Sequence, residues 1–290
     1  MDVKSLLFAG LGIMLIVYVW AVARGGWVLP TPLQAAIGFV TAFFDTLGIG
    51  SFATTTAAYK LRDLVPVKLI PGTLNVGHAL ATIAQAFIYT TIVPVDPTTL
   101  VLMIVAASIG AWLGAGVVVH WPRRKIQIGM GIALLGAATL MLMTQLNLFP
   151  GGGDTLGLSG MRLWLGLGGN FVLGVLMMLG IGLYAPCMIL VSLLGMNPTA
   201  AFPIMMGSCA FLMPVSSVRF VRTRTYHVQA ALGLALGGLP AVLIAAYLVR
   251  SMPLGAVRWL VVAVVIYTSI NMLLTAEIAG KQNGRIAGLE

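Results

Sequence analysis

Apolar residues along this chain gather into long runs, with polar and charged positions confined to short gaps between them. The runs span roughly 5–23, 33–47, 49–61, 66–92, 98–119, 126–148, 163–179, 181–194, 199–218, 227–249 and 255–276. A helix needs about 20 mainly apolar residues to cross a hydrocarbon core ~30 Å thick. Seven runs meet that need. The other four come in two pairs, 33–47 with 49–61 and 163–179 with 181–194. As helices the members of the first pair reach only about 20 Å, and the second pair is short as well, its first member less sharply so. Each pair flanks a glycine pair: Gly48-Ile49-Gly50 in the first, Gly180-Ile181-Gly182 in the second.

These breaks belong to a longer repeat. Thr46-Leu47-Gly48-Ile49-Gly50, followed by Pro66 and Pro71, superposes on Met178-Leu179-Gly180-Ile181-Gly182, followed by Pro198 and Pro203. Both glycines, the isoleucine between them and both prolines match at a constant offset of 132 positions, from Gly48 to Gly180. Several break-forming positions at one offset indicate an internal duplication. Pro122 and Pro253 continue it at 131, one residue having been gained or lost.

Composition narrows the class. The chain is 60% hydrophobic and 8% charged, against roughly a quarter charged in soluble domains. This is the composition of a polytopic helical membrane protein. The net charge of +9 does not point to nucleic acid, because the basic residues sit in short loops, where they act as topology signals. Leu6–Ala23 exceeds the ~7–15 residues of a signal-peptide core and reads as a retained first helix. Cys187 and Cys209 lie in apolar segments and read as packing residues, not as a disulfide or a metal pair.

Each short pair is either one broken span or a hairpin that enters the membrane and returns. Basic residues discriminate, since cytoplasmic loops collect Lys and Arg. With hairpins, Arg24, Lys60, Arg62, Lys68, Arg123, Arg124, Lys125, Arg219, Arg222, Arg224, Lys281 and Arg285 share one side, leaving Lys4, Arg162, Arg250 and Arg258 on the other. With broken spans they divide almost evenly. The hairpin reading puts the N-terminus outside and the C-terminus in the cytoplasm of a multi-pass plasma-membrane protein. The expected organisation is an N-terminal transmembrane helix (1–32), repeat 1 (33–148, hairpin 33–61 plus three helices), a linker (149–162), repeat 2 (163–276, hairpin 163–194 plus three helices) and a cytoplasmic tail (277–290). Three crossings per unit invert the second repeat relative to the first, a plan that recurs in secondary transporters.

The doubled Leu-Gly-Ile-Gly with its paired prolines, the two similar halves and the short chain resemble the TauE/SafE family of sulfite and organosulfonate exporters. The resemblance covers about residues 35–276. It implies export of a small sulfur-containing anion such as sulfite or sulfoacetate.

Candidate site residues follow from the breaks. Gly48, Gly50, Gly180 and Gly182 permit non-helical backbone at depth, tolerated in a membrane only inside protein or beside a wet cavity. The arms that begin near Ser51 and Leu183 would aim helix N-termini at the midplane, where free N–H groups bind anions. Thr54, Thr55 and Thr56 would add hydroxyls; Tyr184 follows the second glycine pair, and Ser208 lies beside Gly207, the position matching Asn75. The competing reading is that the glycines only allow close helix packing. Asn75 and His78, one turn apart with Gln85 roughly on the same face, could hydrogen-bond a sulfonate, and Pro71 should perturb the helix just before them. His78 could equally be a neutral, structurally bonded histidine. Asp45, three residues before Gly48, is with His78 a candidate for proton coupling. It could instead cap the hairpin tip or pair with His78. Asn170 and Asn271 read as bridges between helices.

The leading expectation is a secondary transporter that exports a small anion by alternating access. The expected partners are that anion and the lipid bilayer, with no nucleic acid, no cofactor and no metal. The first helix, outside both repeats, is a candidate homodimer interface. No phosphate-binding loop of the G-x-x-x-x-G-K-[ST] type occurs in the sequence. Alternatives are a transporter for another substrate, a small-ion channel, or an intramembrane enzyme using Ser51 and His78. The enzyme reading lacks any Gly-x-Ser-x-Gly sequence, so no catalysis is expected.

Overall fold

A computed structural model describes residues 3–148, 153–180 and 182–248, together with 266 and 270. The order is α1 (Val3–Gly25), α2 (Pro32–Thr46), α3 (Ser51–Leu61), α4 (Ile70–Ile92), α5 (Pro97–Val118), α6 (Arg123–Gln145), α7 (Gly160–Met177), α8 (Tyr184–Leu193), α9 (Ala201–Arg222) and α10 (Val228–Leu248). Single 3-10 turns, Val67–Leu69 and Pro198–Ala200, lead into α4 and α9. Among the described residues there is no strand, only an isolated bridge between Thr155 and Met196. The expected final crossing (255–276) lies outside the described residues apart from Ile266 and Ile270, as do the middle of the linker (149–152) and the tail (277–290).

Five of the helices, α1, α5, α7, α9 and α10, are long and apolar enough to cross a membrane. The chain is therefore an all-helical, membrane-embedded protein. At 23 residues α4 is as long as the others, but Asn75, His78 and Gln85 make it too polar for that test. It can afford them because it is buried along most of its length, so protein rather than lipid surrounds its polar groups.

Local signals set the helix starts. Thr31 and Gln34 form a reciprocal capping box ahead of α2, with Pro32 opening the helix. Asp96 accepts the Thr99 amide at 2.7 Å ahead of α5, where Pro97 opens the helix. Pro71 corrects an expectation: it occupies the first turn of α4, where a missing N–H costs no helical bond, so it starts the helix instead of perturbing it.

The core is built on α4 packed against α9. Around this pair, α5 packs on α9 and α10 on α4, while α2 lies along α10 and α7 along α5. The last two contacts are backbone-close. A Cβ added at Gly38 would lie 2.6 Å from the Leu234 Cα, and one at Gly174 would collide with the Ala107 carbonyl. Small residues at such crossings are how helices associate where water cannot drive them together. α1 rests on α9 and α4.

The short helices fold back. Gln34, at the start of α2, meets Gly233, and Tyr59, near the end of α3, hydrogen-bonds the Ala230 carbonyl at 3.3 Å. Both ends of this pair thus lie beside the first turns of α10, while Ala42 approaches Gly238 further along. In the second pair, Gly169 of α7 meets Leu190 of α8, and Arg162 at the base approaches Gly195. The base of the α2–α3 pair shares an end of the bundle with the α9–α10 turn, where the Thr73 hydroxyl accepts the His227 amide at 2.9 Å. The base of the α7–α8 pair lies at the opposite end with the start of α5, where the Thr99 hydroxyl accepts the Leu158 amide at 2.9 Å.

Basic residues follow this geometry. Lys60, Arg62 and Lys68 lie at the base of the first pair. Arg219, Arg222 and Arg224 lie at the α9–α10 turn, where the end of α1 also arrives, with Gly25 against Tyr226. Arg219 reaches across to the Trp112 carbonyl at 2.9 Å and stacks over the Trp112 ring, placing the end of α5 on the same side. Lys4 and Arg162 fall at the other end.

Candidate functional site

The two breaks open with the same turn. After α2, the Leu47 amide reaches the Phe44 carbonyl at 3.1 Å, the Gly48 amide reaches that of Asp45 at 2.9 Å, and Gly48 turns with φ +83°. After α7, the Leu179 amide reaches the Leu176 carbonyl at 2.9 Å, the Gly180 amide reaches that of Met177 at 3.0 Å, and Gly180 turns with φ +88°. L-residues with a side chain rarely adopt that conformation, so the sequence marks both turns with glycine. α3 and α8 then begin with no cap from the side chain of the N-cap residue; at α3 the Ser51 backbone faces the Asp45 carboxyl instead.

The two helix starts meet at a narrow cleft of about 220 Å³, counted to its open side. It is lined by Asp45, Gly50, Ser51, Phe52, Thr82, Met177, Gly182, Leu183, Tyr184 and Cys209. Eight of these form four pairs at the repeat offset: Asp45 with Met177, Gly50 with Gly182, Ser51 with Leu183, and Phe52 with Tyr184. Thr82 and Cys209 come from the central helices α4 and α9. The turns out of α2 and α7 share their geometry, but α8 begins one position later than α3 by the repeat offset, from a helical Leu183 where α3 has Gly50 at φ +90°. The chemistry of the two halves differs as well. Half 1 supplies a carboxyl and a hydroxyl where half 2 supplies methionine and leucine, and the tyrosine of half 2 stands opposite a phenylalanine.

Asp45 anchors a buried polar network behind the cleft. The Gln85 amide donates to the Asp45 carboxyl oxygen Oδ2 and to the Thr46 hydroxyl, each at 2.9 Å. The Tyr184 hydroxyl donates to the Gln85 Oε1 at 2.7 Å, and the Tyr89 hydroxyl donates to the Thr46 carbonyl at 2.6 Å. Ser51 also faces the Asp45 carboxyl, with its hydroxyl and its backbone. Every one of these partners is uncharged. Replacing Tyr184 with phenylalanine strands the buried Gln85 oxygen. The expected cost is about 1–3 kcal/mol of stability, read as a lowered midpoint of thermal unfolding in detergent. An unchanged midpoint contradicts the bond.

The expected site residues divide into two groups. Gly50, Ser51, Gly182 and Tyr184 line the cleft together with Asp45. Gly48 and Gly180 shape the turns behind it, and Gly48 packs on the Phe202 ring. The remainder lie away from the cleft. Thr54 hydrogen-bonds back to the Ser51 carbonyl at 2.9 Å. Asn75 donates to the Pro71 carbonyl at 2.9 Å and accepts from Ser216 at 3.3 Å. Asn170 donates to Ser208 at 3.0 Å and to the Met103 carbonyl at 2.7 Å, so it does bridge helices; Asn271 is outside the described residues. His78 meets Thr55, not Asp45, with its Nε2 2.9 Å from the hydroxyl. Its Nδ1 and the Thr56 hydroxyl are buried without a partner. The His78 ring sits 6.1 Å from that of Phe52, and His78 itself does not line the cleft.

Phe52, Thr82, Met177 and Cys209 were not singled out from the sequence as site residues. Phe52 and Met177 were accessible to it, since the offset maps them onto Tyr184 and Asp45. Thr82 and Cys209 carry no such mark. Cys209 and Cys187 are both free and buried, and among the described residues no group of three or more His, Cys, Asp or Glu comes together. Comparison with known proteins found no matching family model, curated protein or solved structure, so the fold and the cleft rest on this chain's own geometry.

Proposed function

We propose that the chain is a secondary transporter built from two inverted repeats, each a re-entrant helical hairpin followed by three transmembrane helices, with α1 standing outside both. The helix pairings support this plan, because they survive exchange of the halves. α2 on α10 becomes α7 on α5, α5 on α9 becomes α10 on α4, and α4 on α9 maps to itself. The hairpin bases at opposite ends of the bundle support the inversion. The face carrying Lys60, Arg62, Lys68, Arg219, Arg222 and Arg224 is assigned to the cytoplasm by the positive-inside rule.

The transported species is a small anion, an organosulfonate such as sulfoacetate or sulfite, moved outward by alternating access. The observation that supports this reading best is the cleft between the two hairpin tips, lined by equivalent residues of both halves and faced by two helix starts with no N-cap side-chain bond. Free amides at a helix N-terminus suit an anion, and a site on the axis relating two repeats is where rocking of one against the other changes access. The resemblance to sulfite and organosulfonate exporters supplies the substrate class. In proteoliposomes, labelled sulfoacetate or sulfite is expected to show saturable flux that the unlabelled compound blocks. Absence of flux for both, in folded protein, removes the sulfur-anion assignment. Unsaturable conduction at channel rates would replace the transporter with a channel.

A further inference from the structure

An anion drawn to the two helix starts meets the Asp45 carboxyl, which already lines the same cleft. Within the network the donors and acceptors are fixed. Tyr184 donates to the Gln85 oxygen, so the Gln85 nitrogen must face outward, and it donates to Asp45 Oδ2 and Thr46. That makes Oδ2 an acceptor, while the Ser51 hydroxyl and backbone face the same carboxyl. Among the described residues no cation faces it. Facing Asp45 are Gln85 and Tyr89 of α4, Ser51 of α3, Tyr184 of α8 and Cys209 of α9, all neutral groups. On α10, packed along α2, the one titratable side chain is Tyr247, in the last turn.

An ionised Asp45 and an anion would be two like charges side by side in one narrow cleft. We propose, building on the transporter reading, that the anion occupies the cleft only when Asp45 carries a proton, so that proton and anion cross together. The proton comes from water on the loading side onto the carboxylate and returns to water on the far side as the anion leaves. The offset puts Met177 at the matching position of the second half, so one proton accompanies each anion.

The test is the affinity of the purified full-length protein for sulfoacetate as a function of pH, a probe whose own acid groups stay ionised across the range. Only the protonated acid admits the anion, so affinity is expected to fall as pH rises, by up to about tenfold per pH unit. Asp45→Asn, a fixed analogue of the protonated acid, is expected to bind with no such dependence. A flat wild-type profile overturns the proposal without needing the variant, as does an affinity that follows sodium instead of pH. Failure to bind any anion would instead count against the substrate assignment. The proton site is then read separately, by infrared difference spectra between acid and alkaline buffer. A protonated-carboxyl band present in wild type and missing in Asp45→Asn supports it, and spectra that do not differ overturn it.

Discussion

Leucine at position 182 is expected to abolish sulfoacetate and sulfite binding in a protein that still folds. Gly182 stands between the two helix starts, and a Cβ placed there would lie 3.7 Å from the Phe52 Cβ, an ordinary contact. Alanine therefore fits, and Gly182→Ala should retain both fold and binding. Leucine must send its branched end into the narrow cleft, the space proposed for the anion. The expected loss is at least ~100-fold in affinity, equivalent to about 2.7 kcal/mol, with the thermal midpoint close to that of wild type. Normal binding by Gly182→Leu would falsify the cleft as the binding site.

The second large effect is on folding. Gly174→Leu is expected to prevent recovery of folded protein, because the new side chain meets the Ala107 carbonyl and not a movable neighbour. Its partner across the same contact, Gly110, faces the Phe171 carbonyl just as closely. The α5 and α7 backbones must separate to admit any side chain at either position. Overpacking a flexible core typically costs 1–3 kcal/mol, and a backbone wedge should exceed ~3 kcal/mol. Gly168 provides the control, since nothing lies within 4 Å of a Cβ there on the same helix. Gly168→Leu should purify and melt like wild type. Equal behaviour of both variants in size exclusion and thermal unfolding would contradict the close α5–α7 crossing.

The contrast between these glycines bears on what the sequence reveals. The turns at Gly48 and Gly180 were legible because a left-handed backbone leaves a local residue signature, here present twice at one offset. That the short helices fold back was suggested by a global signal, the sorting of basic residues between loops. The network was not legible. Asp45, Gln85 and Tyr184 lie 40 and 99 residues apart along the chain, and no periodicity connects them. Reading Asn75, His78 and Gln85 as one polar face also failed in detail. Their directions spread over about 80° at 3.6 residues per turn. On a helix with solvent on one side that counts as a single face. On α4, enclosed by protein, it sends Asn75 to α9, His78 to α3 and Gln85 to α2 and α8.

The uneven lining of the cleft has an energetic consequence. On the proposed inverted-repeat reading, two copies alike in sequence would make a conformation open to one side of the membrane and its counterpart open to the other related by symmetry and equal in energy. Asp45 facing Met177, and Ser51 facing Leu183, remove that degeneracy. A carboxyl and a hydroxyl are cheaper to expose to water than a methionine and a leucine. On the transporter reading proposed above, the resting protein is expected to hold one orientation in preference to the other, the bias being set by which copy carries the polar residues.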